Sequence, residues 1–390
     1  MAVHRCRFRR ACAILPPEIL RRIATRGSRT QRDAALATLA TDQTLRLSRA
    51  THQLLERAPR RPPLAMPEIA KQRTIYDANH RETLPGRAVR DEGSRAGKDV
   101  EVNEAYDGLG ATFDFFAIVH DRNSIDDAGM HLDATVHFGR KYDNAFWNGR
   151  QMVFGDGDGD LFNRFTISLD VIGHELAHGV TGDEAKLVYL GQAGALNESI
   201  SDVFGVLVKQ YALGQTAAEA DWLIGAGLFT SKVNGAALRS MKAPGTAFDD
   251  PVLGRDTQPS TMSGYVHTTM DNGGVHTNSG IPNHAFYLAA IALGGHAWEK
   301  AGQIWYDTLR DGRLRPASTF RQFAVLTAQH AARLFGPLER QAVAAAWKEV
   351  GIDVGSDAGK AGAKGTGNGR GSGRGSGRGT GLRDGAGDDF

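Results

Sequence analysis

Residues 174–178 read His-Glu-Leu-Ala-His, inside the run Asp170-Val171-Ile172-Gly173-His174-Glu175-Leu176-Ala177-His178-Gly179-Val180. The run contains no proline, and Val171, Ile172, Leu176 and Val180 suit a buried helix over 170–180. On an α-helix, residues four apart lie one turn up and only about 40° round. The imidazoles of His174 and His178 can therefore meet one ion, and Glu175 projects to the side, where it can reach a water on that ion. This is the pattern of a zinc-dependent hydrolase. Two histidines satisfied within a core helix are the alternative.

A catalytic zinc takes three protein ligands and keeps one position open, so a third ligand must come from elsewhere. A helix expected over 194–212 carries Glu198 and Asp202 on one face, among Leu196, Ile200, Val203 and Phe204. Two carboxylates on an otherwise apolar helix are costly unless paired or metal-bound. Glu198 can ligate zinc, and Asp202 can hold the far nitrogen of a ligating imidazole. A buried salt-bridge helix is the other reading.

Around these helices the chain divides by composition. It has 390 residues, 41% hydrophobic and 23% charged, ordinary values for a globular protein. No apolar run is long enough to span a bilayer. The N-terminus is basic, but its apolar stretch covers only Ala11 to Leu15 before two prolines, short of a secretory signal. Residues 1–61 hold 14 arginines against four acids, a net of +10. Residues 355–390 carry six basic and four acidic groups, which leaves −10 for 62–354 out of an overall +2. A basic leader beside an acidic body suggests that the two dock. Cys6 and Cys12 are the only cysteines and both lie in the leader, so the body needs no disulfide.

The leader reads as helical over 14–58, with Ile19, Leu20 and Ile23 on one face, and the Pro/Arg-rich stretch 57–67 as an exposed linker. From Thr74 to about Gln151 come short β-like pieces with Gly and Asp turns, interrupted by a helix near 111–122. Helices are then expected over 170–180, 194–212, 281–293, 298–309, 317–333 and 337–350. The fold class is α+β. The Gly/Arg tail from 355 cannot bury a core and reads as a solvated linker rather than a nucleic-acid contact.

HELAHGVT (174–181), GALNESISDVFG (194–205) and DNGGVHTNSGIPNHAFYL (271–288) together resemble the thermolysin family of zinc metallopeptidases. IYDA (75–78), TLPG (83–86), NAFWNG (144–149), MVFGDGDGD (152–160) and LRSM (238–241) extend the likeness in order over about 74–351. The leader segment CAILPPEILRRIATRG resembles the short propeptide of the protealysin branch. The resemblance implies a thermolysin-like two-lobed catalytic domain (62–354): a β-rich lobe over about 74–168, an α-helical lobe over about 169–351, and zinc in the cleft between them. A small helical propeptide (1–61) precedes this domain and a tail (355–390) follows it. By resemblance His174, His178 and Glu198 bind zinc, with Asp202 behind the first ligand. Glu175 is the general base, Tyr189 and His276 are oxyanion donors, and Asp271 orients His276. Asn144, Ala145 and Arg239 grip the substrate main chain. Phe162, Phe165, Val171, Ile224 and Leu238 match the pocket for the residue after the cut, and being apolar they favour a large apolar side chain there.

The same likeness makes the chain a neutral endopeptidase acting on peptides or proteins, silenced by its own propeptide, with Cys12 a candidate to reach the zinc. It is expected to be monomeric, with no membrane partner, and secreted, as the family mostly is; cytoplasmic residence is the alternative because no signal peptide is visible. One departure concerns calcium. Of the five carboxylates of the family's double calcium site only Asp170 and Asp221 remain, with Lys209, Leu223 and Ala226 at the other three positions. Two acids and a lysine cannot satisfy a cation that wants about six to eight oxygens, so that calcium is expected to be absent, with Lys209 free to pair with Asp170. The loop Asp156–Asp160 has calcium-like spacing, but Ile167 stands where an EF-hand needs glutamate, and it reads as a turn.

Overall fold

Two adjacent prolines set where the leader's first helix begins. Proline suits the first helical position and disfavours helical backbone in the residue before it, and helix α1 runs Pro17–Arg26, burying Ile19, Leu20 and Ile23 as the periodicity predicts. Helix α2 follows over Arg29–Leu55. The computed structural model describes residues 13–55, without the side chains of 45–55, and 69–355. Cys6, Cys12, the linker at 57–67 and the tail beyond Gly355 lie outside the described residues. Residues 13–16 are not helical, contrary to the start expected at 14; Ala13 instead bridges Phe146 in antiparallel fashion.

The first lobe is built on strands β1 (Arg73–Asp77), β2 (Arg87–Asp91), β3 (Leu132–Val136), β4 (Ala145–Trp147) and β5 (Gln151–Phe154), with helix α3 (Val100–His120) between β2 and β3. The sheet order is β2-β1-β3-β5-β4. The three central strands run parallel, and the two edges are antiparallel. Helix α3 starts well before the expected 111, where Asp99 accepts from the Val102 amide. Gly108 and Gly110 obscure its periodicity in the sequence. A Cβ on Gly108 would lie 2.3 Å from Ile172, so that glycine marks a close helix contact rather than a break.

The second lobe is helical: α4 (Leu169–Glu184), α5 (Gly191–Leu213), α6 (Asp271–Asn278), α7 (Gly280–Leu293), α8 (Gln303–Leu309), α9 (Phe320–Leu334) and α10 (Pro337–Glu349). A wide turn over Trp298–Gly302 leads into α8, so the helix expected at 298–309 is present with an irregular start. Short strands β6 (Leu223–Ile224) and β7 (Arg239–Ser240) pair in the long connection after α5. Among the described residues no helix is long and apolar enough to cross a membrane.

Helices α4 and α5 cross at glycines. A Cβ on Gly205 would sit 2.3 Å from the Asp170 carbonyl oxygen and 3.0 Å from the His174 amide nitrogen, and one on Gly173 would sit 3.0 Å from the Gly205 Cα. Interaxial distance is set by the side chains at a crossing, and here the closest backbone approach is made by glycines. On propensity alone Gly205→Ala would stabilise a helix by about 1 kcal/mol. The backbone clash outweighs that gain, and the variant should instead lose roughly 1–3 kcal/mol, the usual range for overpacking. Urea unfolding checks this, and a variant more stable than the wild type would contradict the close crossing.

Candidate metal centre

The crossing brings three buried side chains to one point. His174 and His178 lie on α4, and Glu198 comes from α5. The two Nε2 atoms are 3.0 Å apart, His178 Nε2 is 3.5 Å from Glu198 Oε1, and His174 Nε2 is 3.6 Å from Glu198 Oε2. Ligands about 2.0–2.1 Å from a tetrahedral zinc stand roughly 3.3 Å from one another, so these spacings fit that ion.

The hydrogen bonds behind the ligands fit a cation as well. His174 Nδ1 donates to Asp202 Oδ1 at 2.7 Å, and His178 Nδ1 faces Asn197 Oδ1 at 2.8 Å and Ser201 Oγ at 2.9 Å. With each Nδ1 carrying the proton, the two Nε2 atoms turn lone pairs toward each other, an arrangement that a cation between them relieves. Glu198 Oε2 is buried with no hydrogen-bond partner among the described residues. Burial pushes His178 down to about 3, which keeps the ring in its neutral, ligating form. Burial works against the charge on Glu198, but the neighbouring histidines, His276 first, outweigh it and hold the carboxyl below its usual range.

Asp202 lies at the centre of a buried network. Arg239 donates to it through Nε at 2.9 Å and Nη2 at 2.7 Å, and Asn283 Nδ2 adds a bond of 2.8 Å. Burial opposes its charge, yet Arg239 and His174 hold the carboxyl well below its usual range. Arg239 therefore has one nitrogen left for the cleft: Nη1 donates to the Ile14 carbonyl at 3.1 Å.

The remaining polar residues surround the same point. Glu175 Oε2 accepts from the Trp147 amide at 2.9 Å, which ties the second residue of the HELAH motif to strand β4. Tyr189 donates through its hydroxyl to Glu198 Oε1 and stands 3.2 Å from His276 Nε2. Left-handed backbone at Asn272, Gly273 and Gly274 breaks the first turn of α6. Asp271 then reaches back to the His276 amide at 3.0 Å and to Nδ1 at 2.8 Å. Burial opposes a charge on His276, but Asp271 and Glu198 raise it to about 8, so the ring is a cation and a donor at neutral pH. Phe162, Phe165, Val171, Ile224 and Leu238 are all buried in the hydrophobic core, which runs through both lobes and also takes in Ile14 and Leu15.

The leader lies along the edge of β4. The Ile14 amide donates to the Ala145 carbonyl at 3.1 Å, and the Leu15 amide donates to Asn144 Oδ1 at 3.0 Å. His276 Nε2 is 3.2 Å from the Ala13 carbonyl oxygen. From α2, Asp42 Oδ2 accepts from Asn144 Nδ2 at 3.0 Å, and Thr38 Oγ1 accepts from the Asp143 amide at 3.1 Å. These contacts bring together His174, His178, Glu198, Asp202, Glu175, Tyr189, His276, Asp271, Asn144, Ala145 and Arg239, whereas the five apolar residues are placed only in the core. The sequence reading missed Trp147, Asn197, Ser201, Asn283, Thr38 and Asp42. Trp147 sits inside the NAFWNG motif and could have been found there. Asn197 and Ser201 flank Glu198 at helical spacing.

Lys209 Nζ lies 2.8 Å from Asp170 and 2.9 Å from Asp221, and it donates to the Leu223 carbonyl at 2.8 Å. The Asp156–Asp160 loop is a turn closed on itself, with Asp158 Oδ1 accepting from the amides of Asp160, Leu161 and Phe162.

Comparison with known proteins agrees with this geometry. Residues 35–182 match the thermolysin metallopeptidase catalytic domain and residues 185–352 its α-helical domain. An extracellular metalloprotease of Pectobacterium carotovorum is 54% identical over 342 residues, covering 88% of this chain and 96% of that protein. Protease PrtS of a Photorhabdus species is 49% identical over 346 residues, 87% and 91% of the two chains. Among solved structures, the precursor of protealysin from Serratia proteamaculans superposes with a TM-score of 0.79 at 54% identity, over 88% of this chain and all of that one. Two lobes, a buried His-His-Glu triad and matches along nearly the whole length make this chain a member of the thermolysin family of metallopeptidases, and a metalloendopeptidase.

Proposed function

We propose that this protein is a zinc-dependent neutral endopeptidase that cuts on the amino side of large apolar residues and is made as a self-inhibited precursor. The observation that carries the proposal is the leader strand. Ala13, Ile14 and Leu15 take up the groups assigned to grip a substrate main chain, namely Asn144, Ala145 and Arg239. The Ala13 carbonyl lies at the proposed oxyanion donor His276. Ile14 follows that carbonyl and its side chain is fully buried, which supports the preference for an apolar side chain after the cut.

His174, His178 and Glu198 would hold the zinc. Bound there, Zn2+ supplies Lewis acidity and brings the pKa of water to about 7. Glu175, held by the Trp147 amide, takes a proton from the attacking water and delivers it to the leaving amine. Tyr189 and the protonated His276, held by Asp271, donate to the oxygen that gains charge. Asp202 fixes the ring of His174. Residues 1–61 form the inhibitory leader, 62–354 the peptidase and 355–390 a solvated tail. Relatives named as extracellular support secretion, and the enzyme acts as a monomer. Lys209, seated between Asp170 and Asp221, does the work of calcium at the reduced site.

Glu175→Gln leaves the ligands in place, so it should keep zinc and lose at least about a hundredfold in turnover. Metal analysis and peptide hydrolysis measure the two effects, and a variant with a tenth of wild-type activity would refute the assignment. Glu198→Ala should lose its metal on dialysis.

Ile14→Asp puts a charge into the apolar cluster and should make the unprocessed precursor active on a small peptide. If that precursor stays silent, the leader does not inhibit through this strand.

A calcium-selective chelator should move the melting temperature by no more than about 2 °C, equivalent to under roughly 1 kcal/mol. A fall of about 10 °C would show that calcium is still bound.

A further inference from the structure

A second cluster of histidine and carboxylate lies on the first lobe, apart from the zinc triad. The three parallel strands β1, β3 and β5 are neighbours, and each sends one residue from just beyond its carboxyl end. These are His80 after Asp77, His137 after Val136 and Asp156 after Phe154. The carboxyl ends of adjacent parallel strands are where such sheets gather ligand-binding groups. His137 Nδ1 is 3.0 Å from Asp156 Oδ1, and His80 Nδ1 is 3.2 Å from Asp156 Oδ2. One ligand atom from each residue falls within 4.8 Å of the others.

The geometry points to a divalent transition-metal site formed by His80, His137 and Asp156, with Asp99 holding the far nitrogen of His137. The two spacings run to different oxygens of Asp156 and are also those of imidazole–carboxylate hydrogen bonds; they lie just under the roughly 3.3 Å between ligands of a tetrahedral zinc. Asp99 Oδ2 is 3.0 Å from His137 Nε2, the arrangement in which a carboxylate orients a ligating imidazole. Asp99 does the same for His137 that Asp202 does for His174. Both histidines sit in left-handed backbone, with φ of 58° at His80 and 53° at His137. That conformation costs a non-glycine residue roughly 1–3 kcal/mol. The His80 amide donates to the His137 carbonyl at 2.9 Å, which holds the two loops together. The side chain of His80 is 50% exposed, so an ion can enter from solvent. Two imidazoles and one carboxylate suit zinc, nickel or copper better than calcium or magnesium. Joining residues from three strand ends, the ion would cross-link them and stabilise the lobe that carries the edge strand β4.

The test uses the full-length chain, stripped of metal and titrated with Zn2+ by calorimetry, with metal analysis after desalting. His80→Ala, at an exposed position, should bind one equivalent fewer than the wild type and lose the rise in melting temperature that accompanies that equivalent. Its peptidase activity should be unchanged. Asp99→Asn keeps a residue that caps α3 equally well, yet should weaken the same equivalent about 10- to 100-fold. Equal zinc counts in wild type and His80→Ala would overturn the site and leave an imidazole–carboxylate ion pair only. A rival grouping uses Asp99 and Glu101 with His137. Loss of the equivalent in Glu101→Gln and its retention in His80→Ala would favour that grouping and refute this one.

Discussion

The close crossing of α4 and α5 at Gly173 and Gly205 is the constraint on which the centre depends. HELAH alone puts two imidazoles on one face of one helix, and a third ligand must approach within a few ångströms from another helix. Gly173 and Gly205 allow that approach, since a Cβ at either position would meet backbone at 3.0 Å or less. The same approach sets Asp202 against His174 and fixes which ring nitrogen faces the triad. Arg239 then neutralises Asp202 in the buried interior, and Asn283 takes a remaining lone pair. A buried carboxylate with this many donors costs far less than an isolated one.

Over its described residues, the leader meets the body through a strand-like bridge, hydrogen bonds and burial rather than ion pairs. Its net of +10 against −10 for the body suggested electrostatic docking. Among the described residues, however, no ion pair joins the arginines of α1 or the start of α2 to the body. Arg22 donates instead to the carbonyls of Leu253 and Arg255, and Gln31 Nε2 donates to Asp160 at 2.6 Å. Exposed charge pairs contribute little in any case. An exposed sheet edge such as β4 invites a strand, and the proposed substrate and the leader would compete for it. Under the proposed function this gives the leader its inhibitory role, because it is bonded to the groups that a substrate would need as well.

The part of this protein legible in its sequence is the part set by local periodicity. Histidines four apart, and Glu198 four from Asp202, declare their shared faces because both pairs lie on helices with apolar neighbours. The α+β division was readable for the same reason, whereas the roles of Tyr189, His276, Arg239 and Lys209 came only from likeness to the family, one position at a time. Residues 13–16 were not, because their backbone answers to the edge of β4 more than a hundred positions away. The parallel pairing of β1, β3 and β5 was equally hidden, and with it the meeting of His80, His137 and Asp156. Helix α3 was cut short in the reading because Gly108 and Gly110 look like breaks and are contacts. The Trp147 amide that steadies Glu175 carries no side-chain signal at all.

The central claim is that His174, His178 and Glu198 share one zinc ion while the leader strand occupies the cleft beside it. Anomalous diffraction at the zinc edge, from crystals of the full-length precursor, tests it directly. The predicted result is a peak about 2.0–2.2 Å from both Nε2 atoms and from a Glu198 oxygen, with Ile14 still bonded to Ala145. A map with no peak at that triad, or with β4 bare while the precursor is inactive, would contradict it.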